Sequence, residues 1–118
     1  MRIVSEPEFR KALIASLNPL RGKCFSVVGP GRSGAVASVY ASHYLKIAWI
    51  PYLKSILVPP DLQPILLIDT ASKSGRTLRK AAKRINGVYI QVYLFQEPPF
   101  VKFFYESKNP TKVMKNPK

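Results

Sequence analysis

The sequence has few of the residues on which most enzyme and metal chemistry depends. Its 118 residues include one cysteine, one histidine and six acidic residues. Cys24 lies in an apolar segment, which predicts a buried, unreactive thiol, and a single cysteine excludes a disulfide framework within the chain. His43 has no cysteine or acidic cluster beside it, so we expect it on a helix surface and not in a metal site or a catalytic triad.

Long apolar runs are also missing. No run reaches the roughly 18 residues that cross a membrane, and the N-terminal residues lack the apolar core of a signal peptide. Together with the cysteine count, this predicts a cytoplasmic protein that does not bind membranes. Hydrophobic residues still make up 47% of the chain, enough for a packed core. We expect one domain over residues 1–106 and a basic tail over 107–118.

Acidic residues are far outnumbered by basic ones. Nineteen lysines and arginines against six acids give a formal net charge of +13. Such an excess predicts an anionic partner, either a nucleotide, another phosphorylated molecule or a nucleic acid. For a nucleic acid, the basic helix predicted over 76–84, Lys102 and the lysine-rich tail would supply the contacts.

Two segments share the order strand, glycine-containing loop, helix. The first is a strand over about Cys24–Val28, a loop over 29–34 and a helix from about Ala35. The second is the aliphatic strand Ile65–Ile68, a loop over 70–76 and a basic helix. This order predicts an α/β fold with a parallel sheet, and the aliphatic run predicts a strand buried on both faces. If the two strands are neighbours, their loops meet in one crevice. A last strand over Phe100–Tyr105 is expected at the sheet edge.

The first loop, Gly29-Pro30-Gly31-Arg32-Ser33-Gly34, fits the G-x-G-x-x-G pattern of dinucleotide sites. That reading needs an acidic residue about 20 positions later to hold the ribose. No aspartate or glutamate occurs between Glu8 and Asp61. A nicotinamide cofactor is therefore not favoured, while a tight strand–helix turn without a ligand stays open as an alternative.

The second segment reads Ile68-Asp69-Thr70-Ala71-Ser72-Lys73-Ser74-Gly75-Arg76-Thr77. It resembles the phosphoribosyl-diphosphate motif of the type I phosphoribosyltransferases, with Asp69 at the first acidic position. The resemblance implies an open parallel sheet with helices on both faces, a Rossmann-like core and a truncated hood. It also implies a ligand-binding set that combines both loops: Gly31, Arg32, Ser33, Gly34, Asp69, Thr70, Ser72, Lys73, Ser74, Gly75, Arg76 and Thr77.

Two departures from the family pattern affect the expected activity. Thr70 stands at the second acidic position and Lys73 at the acid of the phosphate loop, while Pro59-Pro60 stiffens a short connection where the family has a mobile flap. We therefore expect a non-catalytic protein, a homo-oligomer, that binds a nucleotide or other phosphorylated ligand as a sensor, regulator or sequestering protein. Two alternatives stay open. One is an active transferase that uses Asp69 and Lys73, with Mg²⁺ as cofactor and Asp69 as its only candidate ligand. The other is a basic nucleic-acid-binding regulator.

Overall fold

The computed structural model describes residues 3–71 and 75–95, together with the backbone of 102–103. In this part of the chain the helices are α1 (Glu6–Leu17), α2 (Gly31–Leu45) and α3 (Arg76–Ala82). The strands, in chain order, are β1 (Ile3–Val4), β2 (Ser26–Val28), β3 (Ala48–Trp49), β4 (Ile56–Leu57), β5 (Ile65–Ala71), β6 (Ile85–Asn86), β7 (Tyr89–Phe95) and β8 (Lys102–Phe103). None of the helices described has both the length and the apolar character needed to cross a membrane.

Four strands form the central sheet in the order β3-β2-β5-β7, and every pairing in it is parallel. Val27 of β2 lies opposite Leu66 of β5, and Leu66 lies opposite Ile90 of β7. The strands before the two glycine-containing loops, β2 and β5, are neighbours, so the condition under which the loops would meet is fulfilled. Since the strands are parallel, the carboxyl ends of β2 and β5 lie side by side at one edge of the sheet.

The sheet is covered by helices on both faces, as predicted. Leu66 and Ile68 of β5 pack in a core cluster with residues of α1 and α2. Ile65 and Leu67, which alternate with them, pack on the opposite face with residues of α3. All four side chains are fully buried. The unbroken aliphatic run is therefore explained by burial on both faces, because a strand places successive side chains on alternate sides.

The start of α1 matches a capping box in the sequence, Ser5 followed three residues later by Glu8. The hydroxyl of Ser5 accepts a hydrogen bond from the backbone N–H of Glu8 at 3.3 Å, an N-cap of the kind that contributes about 1 kcal/mol. Phe9, Leu13 and Leu17 lie on one face of the helix and are buried. Cys24 is also buried, as predicted, and burial raises the pKa of its thiol.

The predicted start of α2 was wrong. The helix begins at Gly31 and not near Ala35, so Gly31–Gly34 forms its first turn and only Gly29 and Pro30 connect it to β2. Pro30 is the N-cap, with ψ of 150°. Gly31 has φ of +68°, a value that glycine adopts without strain, so the chain can turn directly from the strand into the helix.

Three strand assignments also differ from the predictions. β8 pairs in parallel with β1 in a separate two-stranded sheet, not with the edge of the central sheet. β4 and β6 were not predicted, and they form another parallel pair. The basic helix, predicted over 76–84, ends earlier at Ala82, and Ile85 belongs to β6. The predicted tail, residues 107–118, lies outside the described residues.

Candidate functional site

The carboxyl ends of β2 and β5 meet around two glycines. A Cβ on Gly29 would lie 1.9 Å from the carbonyl oxygen of Gly34 and 3.0 Å from that of Ile68. A Cβ on Gly34 would lie 3.4 Å from Oδ1 of Asp69. Backbone therefore packs directly against backbone, and the first turn of α2 lies beside the end of β5. The first glycine-containing segment therefore lies against the end of β5, where the second segment begins, and we call the surface between them the crevice.

Asp69 is the acidic residue of this crevice, and it is 8% exposed. Its Oδ1 accepts a hydrogen bond from the backbone N–H of Thr70 at 2.7 Å. Burial raises the pKa of the Asp69 carboxyl to about 6, although hydrogen bonds from the backbone and the hydroxyl of Thr70 act to lower it. Carboxyl groups perturbed in this way are concentrated at functional sites.

Gly75 connects the second loop to α3 in the left-handed conformation, with φ of +76° and ψ of 8°. Its Cα faces two side chains that the sequence analysis did not assign to the site. A Cβ on Gly75 would lie 3.1 Å from a guanidinium nitrogen of Arg79 and 3.8 Å from the ring of Tyr93. The Tyr93 hydroxyl accepts a hydrogen bond from the backbone N–H of Leu78 at 3.1 Å.

The positions of these two side chains follow from rules that the sequence analysis did not apply. Arg79 is four residues after Gly75, so it lies one helical turn above the loop and reaches back toward it. Tyr93 lies opposite Asp69 in the β5–β7 register. Tyr93 could therefore have been found from its position near the carboxyl end of β7. Because β7 is parallel to β5, the two carboxyl ends lie at the same edge of the sheet.

The remaining predicted site residues lie at two helix starts. Gly31 and Arg32 are exposed and Ser33 is half-buried on the first turn of α2. Arg76 and Thr77 are exposed on the first turn of α3. Ser72, Lys73 and Ser74 lie outside the described residues. The described members thus lie at the starts of two helices that follow neighbouring parallel strands.

Within the described ranges, no group of three or more histidine, cysteine, aspartate or glutamate side chains could hold a metal ion. Mg²⁺ is usually held by one or two carboxylates together with substrate phosphates. The described part of the crevice supplies one carboxylate, Asp69, and one of its oxygens already accepts the Thr70 N–H. The described residues therefore do not form a Mg²⁺ site built from protein ligands alone, and an ion here would also need phosphates of a bound ligand.

A separate groove of about 460 Å³ lies between α1 and α2. Its polar groups include Arg10 and His43, and its other lining residues are apolar or aromatic: Leu13, Ile14, Val39, Tyr40 and Tyr44. The Arg10 guanidinium forms an ion pair with Glu6 one turn earlier. The groove is therefore not suited to a phosphate, and the crevice remains the candidate site.

Comparison with known proteins identifies relatives of the fold. No family model and no curated protein sequence matches the chain. Among solved structures, it is similar to the xanthine-guanine-hypoxanthine phosphoribosyltransferase of Helicobacter pylori, with a TM-score of 0.66 and 16% identity over 88% of this chain and 90% of that one. It is also similar to a purine phosphoribosyltransferase from Pyrococcus horikoshii Ot3, with a TM-score of 0.65 and 20% identity over 98% and 99% of the two chains.

Both comparisons extend over nearly the whole of each chain, so the likeness is not limited to one part of the fold. The parallel order β3-β2-β5-β7, the helices on both faces of the sheet and the position of Asp69 near the end of β5 agree with the motif found in the sequence. The chain therefore has the fold of the type I phosphoribosyltransferases.

Proposed function

We propose that this protein binds a ligand carrying a phosphoribosyl group, such as a nucleotide, in the crevice between the first turn of α2 and the end of β5. The observation that carries the proposal is the direct backbone packing at Gly29 and Gly34, which joins the start of a 15-residue helix to the buried carboxyl of Asp69. The likeness to phosphoribosyltransferases over nearly the whole chain supports the same ligand class.

The groups around the crevice have complementary chemistry for the two parts of such a ligand. The first N–H groups of α2 have no partner within the helix, and they favour an anion together with the exposed Arg32. Arg76 lies at the other side, and charge-assisted hydrogen bonds contribute about 1.5–3 kcal/mol each. The Asp69 carboxylate is an acceptor suited to ribose hydroxyls. Phosphate and sugar would therefore be bound by different groups.

Calorimetry with purine nucleoside 5′-monophosphates and ribose 5-phosphate tests the proposal, with the matching nucleosides as control ligands. The monophosphates are expected to bind at least tenfold more tightly than the nucleosides, since tenfold corresponds to about 1.4 kcal/mol, less than one charge-assisted hydrogen bond. Equal affinity for nucleotide and nucleoside, or no binding of either at millimolar concentration, would refute it.

We propose further that binding occurs without turnover, because Thr70 and Lys73 stand where the family pattern has acidic residues. On this proposal the protein is a sensor, regulator or sequestering protein for its ligand. Binding should then proceed equally well with Mg²⁺ and with a chelator, because the crevice would neutralise phosphate with its own basic groups. A strict requirement for Mg²⁺ would contradict this part of the proposal.

A second candidate is an active purine phosphoribosyltransferase. It is favoured by length, because the similar structures named as phosphoribosyltransferases are matched over 90% and 99% of their own chains. A truncated hood is thus no argument against activity. The test is release of pyrophosphate from phosphoribosyl diphosphate in the presence of guanine, hypoxanthine or xanthine. Turnover that is lost in Lys73→Ala and Asp69→Asn would establish this candidate in place of the non-catalytic one.

A further inference from the structure

The exposed surface of α3 and its C-cap residue carries four basic side chains, with Thr77 as the one other exposed residue. Arg76, Arg79, Lys80 and Lys83 occupy positions i, i+3, i+4 and i+7, and all four are exposed. We call these four residues the α3 stripe. They line an open groove with a volume of about 410 Å³. The crevice does not account for the stripe, because only its first turn borders that site.

This arrangement opposes the folding of α3. Like charges at i and i+4 destabilise a helix, and the stripe contains two such pairs, Arg76 with Lys80 and Arg79 with Lys83. The positive end of the helix dipole is at Arg76, where a cation is unfavourable. The sequence supplies no acidic residue between Asp69 and Glu97. Lys80 and Lys83 lie near the negative end of the helix dipole, which offsets only part of this repulsion. A cluster of cations with no acidic residue in the surrounding sequence points to an external anion.

The contacts of the two lysines support this inference. Neither Lys80 nor Lys83 forms an ion pair with a carboxylate of the described residues, whereas Arg10 on α1 pairs with Glu6. Both ammonium groups are therefore available to a partner. A third cation, Arg84, lies next to the end of the stripe with its guanidinium 5.1 Å from the centre of the Tyr52 ring, which holds it in place.

The dimensions of the stripe distinguish between classes of anion. Seven residues of α-helix span about 10 Å, so a single phosphate contacts only part of the stripe, while a chain of phosphates contacts all of it. A membrane surface fits less well, because helices that lie on membranes insert an apolar face. The apolar residues of α3, Leu78, Ala81 and Ala82, are buried in the core and are not available for insertion.

We propose that the α3 stripe binds the phosphodiester backbone of a nucleic acid. It lies on the face of the sheet opposite α1 and α2, so no other described helix covers it. Binding of this kind is sequence-independent and depends strongly on salt, because each neutralised phosphate releases condensed counterions. The proposal concerns a second surface and does not require the crevice to be filled.

Fluorescence anisotropy with a labelled 20-nucleotide single-stranded RNA and a 20-base-pair DNA duplex tests the proposal at several salt concentrations. The test variant is Lys80→Gln/Lys83→Gln. The matched control is Lys11→Gln/Lys23→Gln, which removes the same charge from exposed positions on α1 and before β2. Two lost phosphate contacts reduce the slope of log K against log salt by about 1.4 for single strands and about 1.8 for duplex, and weaken single-strand binding about 25-fold at 0.1 M salt.

Binding of either oligonucleotide with these losses in the stripe variant, and little change in the control, supports the proposal. Equal losses in both variants would overturn it, since binding would then reflect net charge alone. Tighter binding of heparin than of either oligonucleotide at equal salt would also overturn it, as would binding of phosphatidylserine vesicles alone. Ribose 5-phosphate binding measured by calorimetry should be unchanged in the stripe variant, which separates this proposal from the function of the crevice.

Discussion

Replacing Asp69 by asparagine should stabilise the protein at neutral and alkaline pH. The carboxyl is 8% exposed and burial raises its pKa from 3.8 to about 6. The folded protein therefore holds a proton that the unfolded chain has already lost, and the free energy of unfolding falls as pH rises between these two values. Asparagine retains the oxygen that accepts the Thr70 N–H and never ionises.

The size of the effect follows from the two pKa values. One pKa unit corresponds to about 1.36 kcal/mol, so the difference between 3.8 and about 6 corresponds to about 3 kcal/mol over the full titration. Between pH 4 and pH 8, where both forms can be measured, about 2.4 kcal/mol of this is expected. The contribution is present below pH 3.8 and is lost as pH rises through 6.

Urea unfolding of wild type and Asp69→Asn at half-unit steps from pH 4 to pH 8 measures the effect, since urea does not screen charges as a guanidinium salt does. The exposed Asp61→Asn variant serves as the matched control and should follow the wild-type curve. The difference between wild type and Asp69→Asn should change by about 2.4 kcal/mol over this range. Parallel curves would show that the carboxyl is not desolvated, and the reasoning about burial would fail.

Two further predictions concern the loop before α3. Gly75→Ala and Gly22→Ala introduce the same strain, because both glycines have φ of +76°, and each should lose about 1–2 kcal/mol in urea unfolding. Only Gly75→Ala should weaken nucleotide binding, because a Cβ there meets Arg79 whereas Gly22 has open space; equal binding in both variants would place the ligand elsewhere. Tyr93→Phe removes the acceptor of the Leu78 N–H and should cost about 1 kcal/mol. A loss no greater than in the exposed Tyr89→Phe would show that this hydrogen bond contributes nothing.

The central architecture was predictable because its signals are strong and local. The aliphatic run Ile65–Ile68 has no polar residue, and only burial on both faces accommodates such a strand in a soluble fold. The two strand–glycine–helix units then implied parallel pairing. Whether their loops would meet depended on the two strands being neighbours, which the sequence left open and the structure shows. Ser5 and Glu8 marked the start of α1 by a known capping pattern.

Other parts of the fold left no comparable signal. β4 and β6 contain two residues each, too few to show an alternating pattern. Their pairing joins segments before and after β5, so it depends on how the whole chain packs. The early start of α2 was missed because a glycine-rich segment reads as a loop, while the close packing of Gly29 against Gly34 is a tertiary contact. Tyr93 was missed because its role depends on the register between strands that are distant in sequence.

Coverage of the sheet is unequal on its two faces, and this has a consequence for local stability. One face carries α1 and α2, of 12 and 15 residues, and the other carries α3, of seven. A helix of seven residues is not stable alone, so α3 depends on the burial of Leu78, Ala81 and Ala82. We expect its amide hydrogens to exchange with solvent through local opening well before those of α2. The crevice and the α3 stripe both include this helix, so each proposed ligand should slow the exchange of α3 amides.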